Sequence, residues 1–204
     1  MLQEDPFYDK KITFEEVEVP YLTLEELQTI MEKNILNDRL RRVRDVFVFS
    51  CFTGLAYSDT YFLTEEHLHK ANDGKIWIKK PRQKTKVVAD IPLLEVPLQI
   101  LEKYRGQQTG GRLLPVCSNQ KVNQYLKELA TVCGINKELT YHVARYTFAT
   151  SLTLLHDVPM ASIAKMLGHT NIRQTQHYAK ATNILVGRSM QNLSEQLNLH
   201  MEVK

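Results

Sequence analysis

The chain has 204 residues, of which 43% are hydrophobic and 24% charged, with a formal net charge of +3. That length holds one full-sized core, or one domain with an attached arm, and the composition excludes a mainly disordered chain. No apolar run approaches the roughly 20 residues that span a bilayer, and the opening MLQEDPFYDK lacks a signal-peptide pattern. Cys51, Cys117 and Cys133 are widely spaced and form no CxxC pair. A disulfide framework or a metal site is therefore not expected, and a reducing cytoplasm fits this usage.

The charge is unevenly spread. Residues 1–20 carry six acids against Lys10 and Lys11, a net −4, whereas the remainder holds 24 basic and 17 acidic residues, a net +7. An acidic leader before a basic module suits a polyanionic partner. Scattered apolar positions and a terminal Pro20 make 1–20 read as an interdomain linker or arm, with a single domain over 21–204.

At Thr23 a capping box with Glu26 opens an amphipathic helix to about Asn37. A second helix, RLRRVRDVFVFSCF, is basic in its first half and apolar in its second, and stops at Gly54. The period then changes. The segments 75–79 and 87–91 are short and β-branched, Asp73-Gly74 marks a turn before the first, and the polar PRQKTK lies between them, which predicts a hairpin of two or three strands. Helical patterns return over 96–105, 119–133 (closed by Gly134), 142–155, 159–167 (closed by Gly168), 171–179 and 182–199. The fold class expected is α+β, mainly α-helical, with a small antiparallel sheet. There are no internal repeats and no Gly-rich phosphate loop.

His142 and Arg145, three apart at a helix start, project from one face and make a site for an anionic oxygen; HxxR alone reads more readily as a surface ion pair or a satisfied polar cluster. Gly168 places His169 in a connection, and Tyr178 follows nine residues later near the end of a short helix. Alone, that tyrosine is a packing residue, and Lys84 at the hairpin tip is a solvated lysine. Arg41, Arg42 and Arg44 form a basic helix face of the kind that tracks phosphates.

The combination carries more. In order along the chain stand Thr-Gly-Leu-x-Tyr-Ser-Asp (53–59), Lys84-Thr85, His142-x-x-Arg145, Leu-Gly-His (167–169) and Tyr178. From about residue 21 to the end this resembles the catalytic domain of tyrosine recombinases, the phage-type integrases. RYTFAT (145–150) and MLGHT (166–170) are the most specific pieces. The wording FSCFTGLAYSD, RQKT, IPLL and TQHYAK is most similar to integrases of bacterial conjugative and mobilizable elements.

The resemblance implies the fold of DNA breaking-rejoining enzymes and cleavage of one strand of double-stranded DNA by Tyr178. The products are a 3′-phosphotyrosine and a free 5′-hydroxyl, formed with no cofactor, ATP or metal. Arg145, His142 and His169 would hold charge on the non-bridging oxygens. Lys84 would protonate the leaving 5′-oxygen, and Asp59 would support the site. The resemblance also implies a tetramer of protomers on recombining DNA that exchange C-terminal helices. Val186, Met190, Leu193 and Leu197 form an apolar seam suited to this, or to docking on their own domain. Family members carry an N-terminal DNA-binding domain, to which nothing in this sequence corresponds.

One position departs from the pattern. The family's first arginine follows Thr-Gly-Leu, and here that residue is Ala56. Three readings follow: a non-catalytic DNA-binding or assembly module, a slow enzyme, or an enzyme with a replacement arginine. Arg44, at the junction of the basic and apolar halves of its helix, is the first choice for the replacement and Arg82 the second. Arg41, Arg42, Arg82 and Lys86 are the expected DNA contacts. Retention of the five other positions favours an active recombinase. A type IB topoisomerase-like nicking-closing enzyme is a further alternative, against which the LGH motif argues.

Overall fold

The structure, a computed structural model, describes residues 20–178 and 182–197. The expected arm, apart from Pro20, and the last two residues of the expected 182–199 helix lie outside the described residues.

Helix α1 (Leu24–Glu32) opens on the expected capping box: the Thr23 hydroxyl accepts from the Glu26 N–H, and the Glu26 carboxylate accepts from the Thr23 N–H at 2.8 Å. It ends five residues before the expected Asn37. Asn37 instead caps α2 (Asp38–Thr53), its side chain accepting from the Arg39 and Leu40 N–H groups, because a short carboxamide satisfies orphan amides better than it serves a helix interior. Helix α2 is the hub of the domain. Its second half is buried almost throughout, with Phe47, Phe49 and Cys51 fully enclosed, and α1, α4 (Glu95–Tyr104), α5 (Asn119–Cys133) and α6 (Tyr141–Thr147) all pack on it. Gly54 ends it at φ 67°, a left-handed conformation that strains any other L-residue.

After the short α3 (Tyr57–Tyr61) comes an antiparallel sheet of three strands in the order β1 (Leu68–Lys70), β2 (Ile76–Pro81), β3 (Val88–Pro92). Ile78 pairs with Ile91, and both side chains are buried against the main core. The expected hairpin is therefore β2–β3. Strand β1 escapes the sequence pattern because Leu-His-Lys offers one apolar residue and no alternation.

The stretch 142–155, expected as one helix, is three pieces. Helix α6 gives way to a π-helical Phe148–Thr153 and a 3₁₀ turn at Leu154–His156. The Thr153 hydroxyl donates to the carbonyls of Phe148 and Ala149 at 2.9 and 2.8 Å. The chain entering α1 bolts onto the same region: the Leu22 N–H donates to the Thr147 hydroxyl at 3.0 Å, and the Ser151 hydroxyl donates to the Leu22 carbonyl. Helices α7 (Met160–Met166), α8 (Arg173–Gln176) and α9 (Thr182–Leu197) complete the described chain. None of its helices is long and apolar enough to cross a membrane.

Apolar packing divides into a main core and a smaller cluster of Phe148, Ala149, Leu154, Ile163, Leu167 and Tyr178. Gly54 lies against the smaller cluster. A Cβ there would stand 2.5 Å from Phe148 Cδ1 and 2.7 Å from Leu167 Cδ2. In α9, Val186, Met190 and Leu193 are exposed, so this part of the seam is not buried against the chain's own domain; the Leu197 side chain lies outside the described ones.

Gly54→Ala is expected to destabilise the domain by about 2–4 kcal/mol, combining left-handed strain with overpacking. Chemical denaturation checks this, and a change below about 0.5 kcal/mol, the size of an ordinary surface substitution, would refute it.

Candidate active site

Arg145 projects inward from α6 and is 4% exposed. Its guanidinium donates to the Gly54 carbonyl at 2.5 Å, to the Leu167 carbonyl at 2.7 Å and to His169 Nε2 at 3.0 Å. Gly54 and Leu167 are the C-caps of α2 and α7. Both carbonyls therefore sit where a helix carries its partial negative charge, which compensates the burial of a cation. Burial lowers the Arg145 pKa, and the nearby Tyr178 phenol acts in the opposite direction; a guanidinium so placed remains charged.

His169 follows the left-handed Gly168. Because Nε2 accepts from Arg145, the ring proton belongs on Nδ1, which donates to the Thr175 hydroxyl at 2.8 Å. Thr175 is fully buried, so the tautomer is fixed from both sides. Burial, and then the charges of Arg145 and Arg82, push the His169 pKa down to about 4. The same causes in the same order lower that of His142, which lies more openly beside Tyr146 at 5.0 Å between ring centroids. Both imidazoles are neutral at pH 7.

Tyr178 is 7% exposed within the smaller apolar cluster. Its ring stacks parallel to His169, with centroids 6.1 Å apart, and meets Tyr146 edge-on at 4.7 Å. The hairpin closes another side. Asp59, buried on α3 one turn after Ala56, accepts from Arg82 Nε at 3.3 Å and from the Gln83 N–H at 2.8 Å. The Thr85 hydroxyl reaches the Gly168 carbonyl at 3.5 Å. Lys84 thus stands exposed between two anchored neighbours, and Lys86 is exposed at φ 61°.

The structure therefore brings together Arg145, His169 and Tyr178, with His142 and Arg82 beside them and Lys84 at the rim. It does not bring Arg44 there. Arg44 binds Asp45 at 3.0 Å and the Lys33 carbonyl at 2.9 Å, and Asp45 also accepts from Lys103 and Tyr104. Ten residues of α2 separate Arg44 from Gly54, about 15 Å along the axis. The first choice for a replacement arginine is corrected on that ground: its charge is absorbed in a polar network between α1, α2 and α4. Arg41 and Arg42 are exposed near the same distant end, Arg41 paired with Asp38. Sequence reasoning assigned no role to Thr175 or Tyr146, although they lie in the quoted TQHYAK and RYTFAT, because each acts through a neighbour that only folding supplies.

Chemically, one buried guanidinium, a second at the wall and two neutral imidazoles surround a phenol. This set can bind an anionic phosphoryl group and offer it an oxygen nucleophile. A mainly helical domain with a three-stranded sheet that gathers Arg, two His and Tyr at the end of its central helix has the architecture of a tyrosine recombinase catalytic domain. Residues 20–183 match the phage integrase family, and the chain belongs to it. Among curated relatives, tyrosine recombinase XerC of Rickettsia canadensis (strain McKiel) is 28% identical over 69% of this chain and 48% of its own length. Tyrosine recombinase XerD of Halalkalibacterium halodurans is 28% identical over 79% and 57%. The chain thus spans about half the length of these relatives. Among solved structures, the XerA recombinase superposes with a TM-score of 0.65 over 91% of this chain and 68% of that one, at 19% identity. The Tn1549 transposon integrase in complex with transposon right end DNA gives 0.62 over 95% and 73%, also at 19% identity.

Two outcomes are expected. Because the folded protein keeps His169 unprotonated down to about pH 4 and the unfolded chain protonates it near 6.5, stability is full above about pH 6.5 and falls toward pH 4. His169→Gln is expected to flatten that fall, as read by unfolding at a series of pH values; an unchanged slope would refute the assignment. Arg44→Ala is expected to cost about 1–3 kcal/mol of stability through the loosened Asp45 network, as read by chemical denaturation; a change below about 0.5 kcal/mol would refute it.

Proposed function

We propose that this chain is the catalytic domain of a site-specific DNA recombinase that integrates and excises a mobile element. The observation that carries the reading is the Tyr178 ring stacked on the neutral His169, whose Nε2 accepts from the buried Arg145 guanidinium. The Tyr178 oxygen attacks the scissile phosphorus, forming a P–O bond as the bond to the 5′-oxygen breaks. A phenol ordinarily keeps its proton to about pH 10, so the proton must leave during attack. A neutral imidazole takes it, and His169 Nε2 becomes available when Arg145 turns that N–H toward the phosphate. Charge growing on the non-bridging oxygens is met by Arg145 and by His142. Lys84, exposed on the hairpin, gives the leaving 5′-oxygen its proton. The phosphodiester energy is retained in the phosphotyrosine, so a 5′-hydroxyl from a partner strand reverses the step without ATP or metal.

The family relationship and the doubled length of the relatives support an upstream DNA-binding domain joined through residues 1–20. Helix α9 begins four residues after the nucleophile, and its exposed Val186, Met190 and Leu193 suit docking on a neighbouring protomer in a tetramer. The competing reading, a non-catalytic DNA-binding module, rests on Ala56 alone. The Tn1549 integrase likeness and the mobile-element wording of the sequence favour integration and excision as the setting.

Tyr178→Phe is expected to abolish covalent capture of nicked suicide duplexes, drawn from a pool randomised around the cleavage position, while DNA affinity changes less than about 2-fold, since base and phosphate contacts are untouched. Denaturing gels and peptide mapping read the outcome. An adduct formed by the Phe variant would overturn the assignment.

A further inference from the structure

Ala56 leaves the reaction one guanidinium short, and the β2–β3 hairpin brings one to the same place. Asp59 lies one turn along α3 from Ala56 and is 1% exposed, so its carboxylate requires compensation. Both of its oxygens are engaged by the hairpin, one by Arg82 Nε and the other by the Gln83 N–H. Arg82 is itself fixed at the hairpin end, its N–H donating to the Val87 carbonyl at 2.9 Å and its carbonyl accepting from the Lys86 N–H at 2.9 Å.

Gly168 gives the side chain its path. A Cβ at Gly168 would lie 2.6 Å from Arg82 Cδ and 2.9 Å from Cγ, so the aliphatic stem crosses the backbone immediately before His169 through space that any other residue would fill. The side chain is only 13% exposed. Asp59 engages Nε, and among the described residues neither Nη group makes a hydrogen bond, which leaves four N–H donors for an anion. The charge of Arg82 is felt at His142, Arg145 and His169 alike, lowering the pKa of each.

We infer that Arg82 supplies, from the β2–β3 hairpin, the second guanidinium on the scissile phosphate, in place of the arginine that family members carry at the position of Ala56. The inference rests on the recombinase reading above. Asp59 is then a positioning residue, orienting a guanidinium that comes from the hairpin rather than from its own helix. Arg82 and Lys84 are two residues apart on one docked turn, so the same contact that places the charge-neutralising group also places the acid.

The test uses the full chain and a suicide duplex recovered from the randomised pool, made in two forms. One carries the ordinary scissile phosphate, and the other a methylphosphonate, which has lost the charge of one non-bridging oxygen. Arg82→Met keeps the stem over Gly168 and removes the guanidinium. On the phosphate duplex it is expected to slow single-turnover cleavage about 10²–10³-fold, the loss typical of one oxyanion donor. On the methylphosphonate the deficit shrinks to below about 10-fold, because there is less charge to neutralise. Adding Ala56→Arg to Arg82→Met is expected to recover at least about 10-fold on the phosphate duplex. An equal deficit on both duplexes would assign Arg82 to hairpin docking and overturn the inference, as would cleavage by Arg82→Met within about 3-fold of the parent. No adduct from the parent chain would overturn the recombinase reading and this inference with it; an adduct from the parent keeps the two failures apart.

Discussion

Burying one guanidinium organises this domain. Arg145 is taken out of water beside the apolar cluster that holds Tyr178, and it survives there because two helix C-termini turn their carbonyls toward it. Those carbonyls belong to α2, the hub of the main core, and to α7, which carries the smaller cluster. A single side chain therefore ties both packing units together at the point where the chemistry is proposed. The requirement propagates into the backbone: Gly54 must be left-handed to present its carbonyl, and it must lack a Cβ because Phe148 and Leu167 close over it. The π-helical widening after α6 follows within three residues of Arg145, a local departure from regular helix of the kind found at functional sites.

The electrostatics are those of a site poised for an anion. Burial, and then the charges of two nearby guanidiniums, hold both imidazoles neutral, His169 down to about pH 4. A neutral imidazole keeps a lone pair for a proton and an N–H for an oxygen, whereas a protonated one would add a further charge to an already cationic site. Thr175 completes the arrangement by fixing which nitrogen of His169 carries the hydrogen. A phosphate at this site would supply the negative charge that Arg145 lacks.

The hairpin contributes by docking rather than by packing. Its turn attaches through Arg82, Gln83 and Thr85 to Asp59 and the Gly168 carbonyl. Because the Asp59 carboxylate is buried, these contacts hold the turn that carries Lys84, the proposed acid, in place beside the site. On the inference above, the guanidinium that Ala56 does not provide comes from the turn, where Asp59 holds it.

Local physics made much of this legible in the sequence. Capping at Thr23, the glycine stops at 54 and 134, the β-branched pair around PRQKTK and the spacing of His142, Arg145, His169 and Tyr178 are short-range signals, and the elements they mark are present with boundaries shifted by a few residues. The α1 end was misplaced because Asn37 serves the next helix, and the break after Thr147 was invisible because π-helical widening answers to tertiary hydrogen bonds at Leu22. What the sequence determined by itself was the set of elements and the identity of the polar side chains available to them. Which arginine reaches the site was decided only by the fold: Arg44 and Arg82 are equally basic on paper, but one is consumed by Asp45 about 15 Å along α2 and the other is carried to Asp59. Charge alone does not fix position; the partner that compensates a buried charge does, and those partners are distant in sequence.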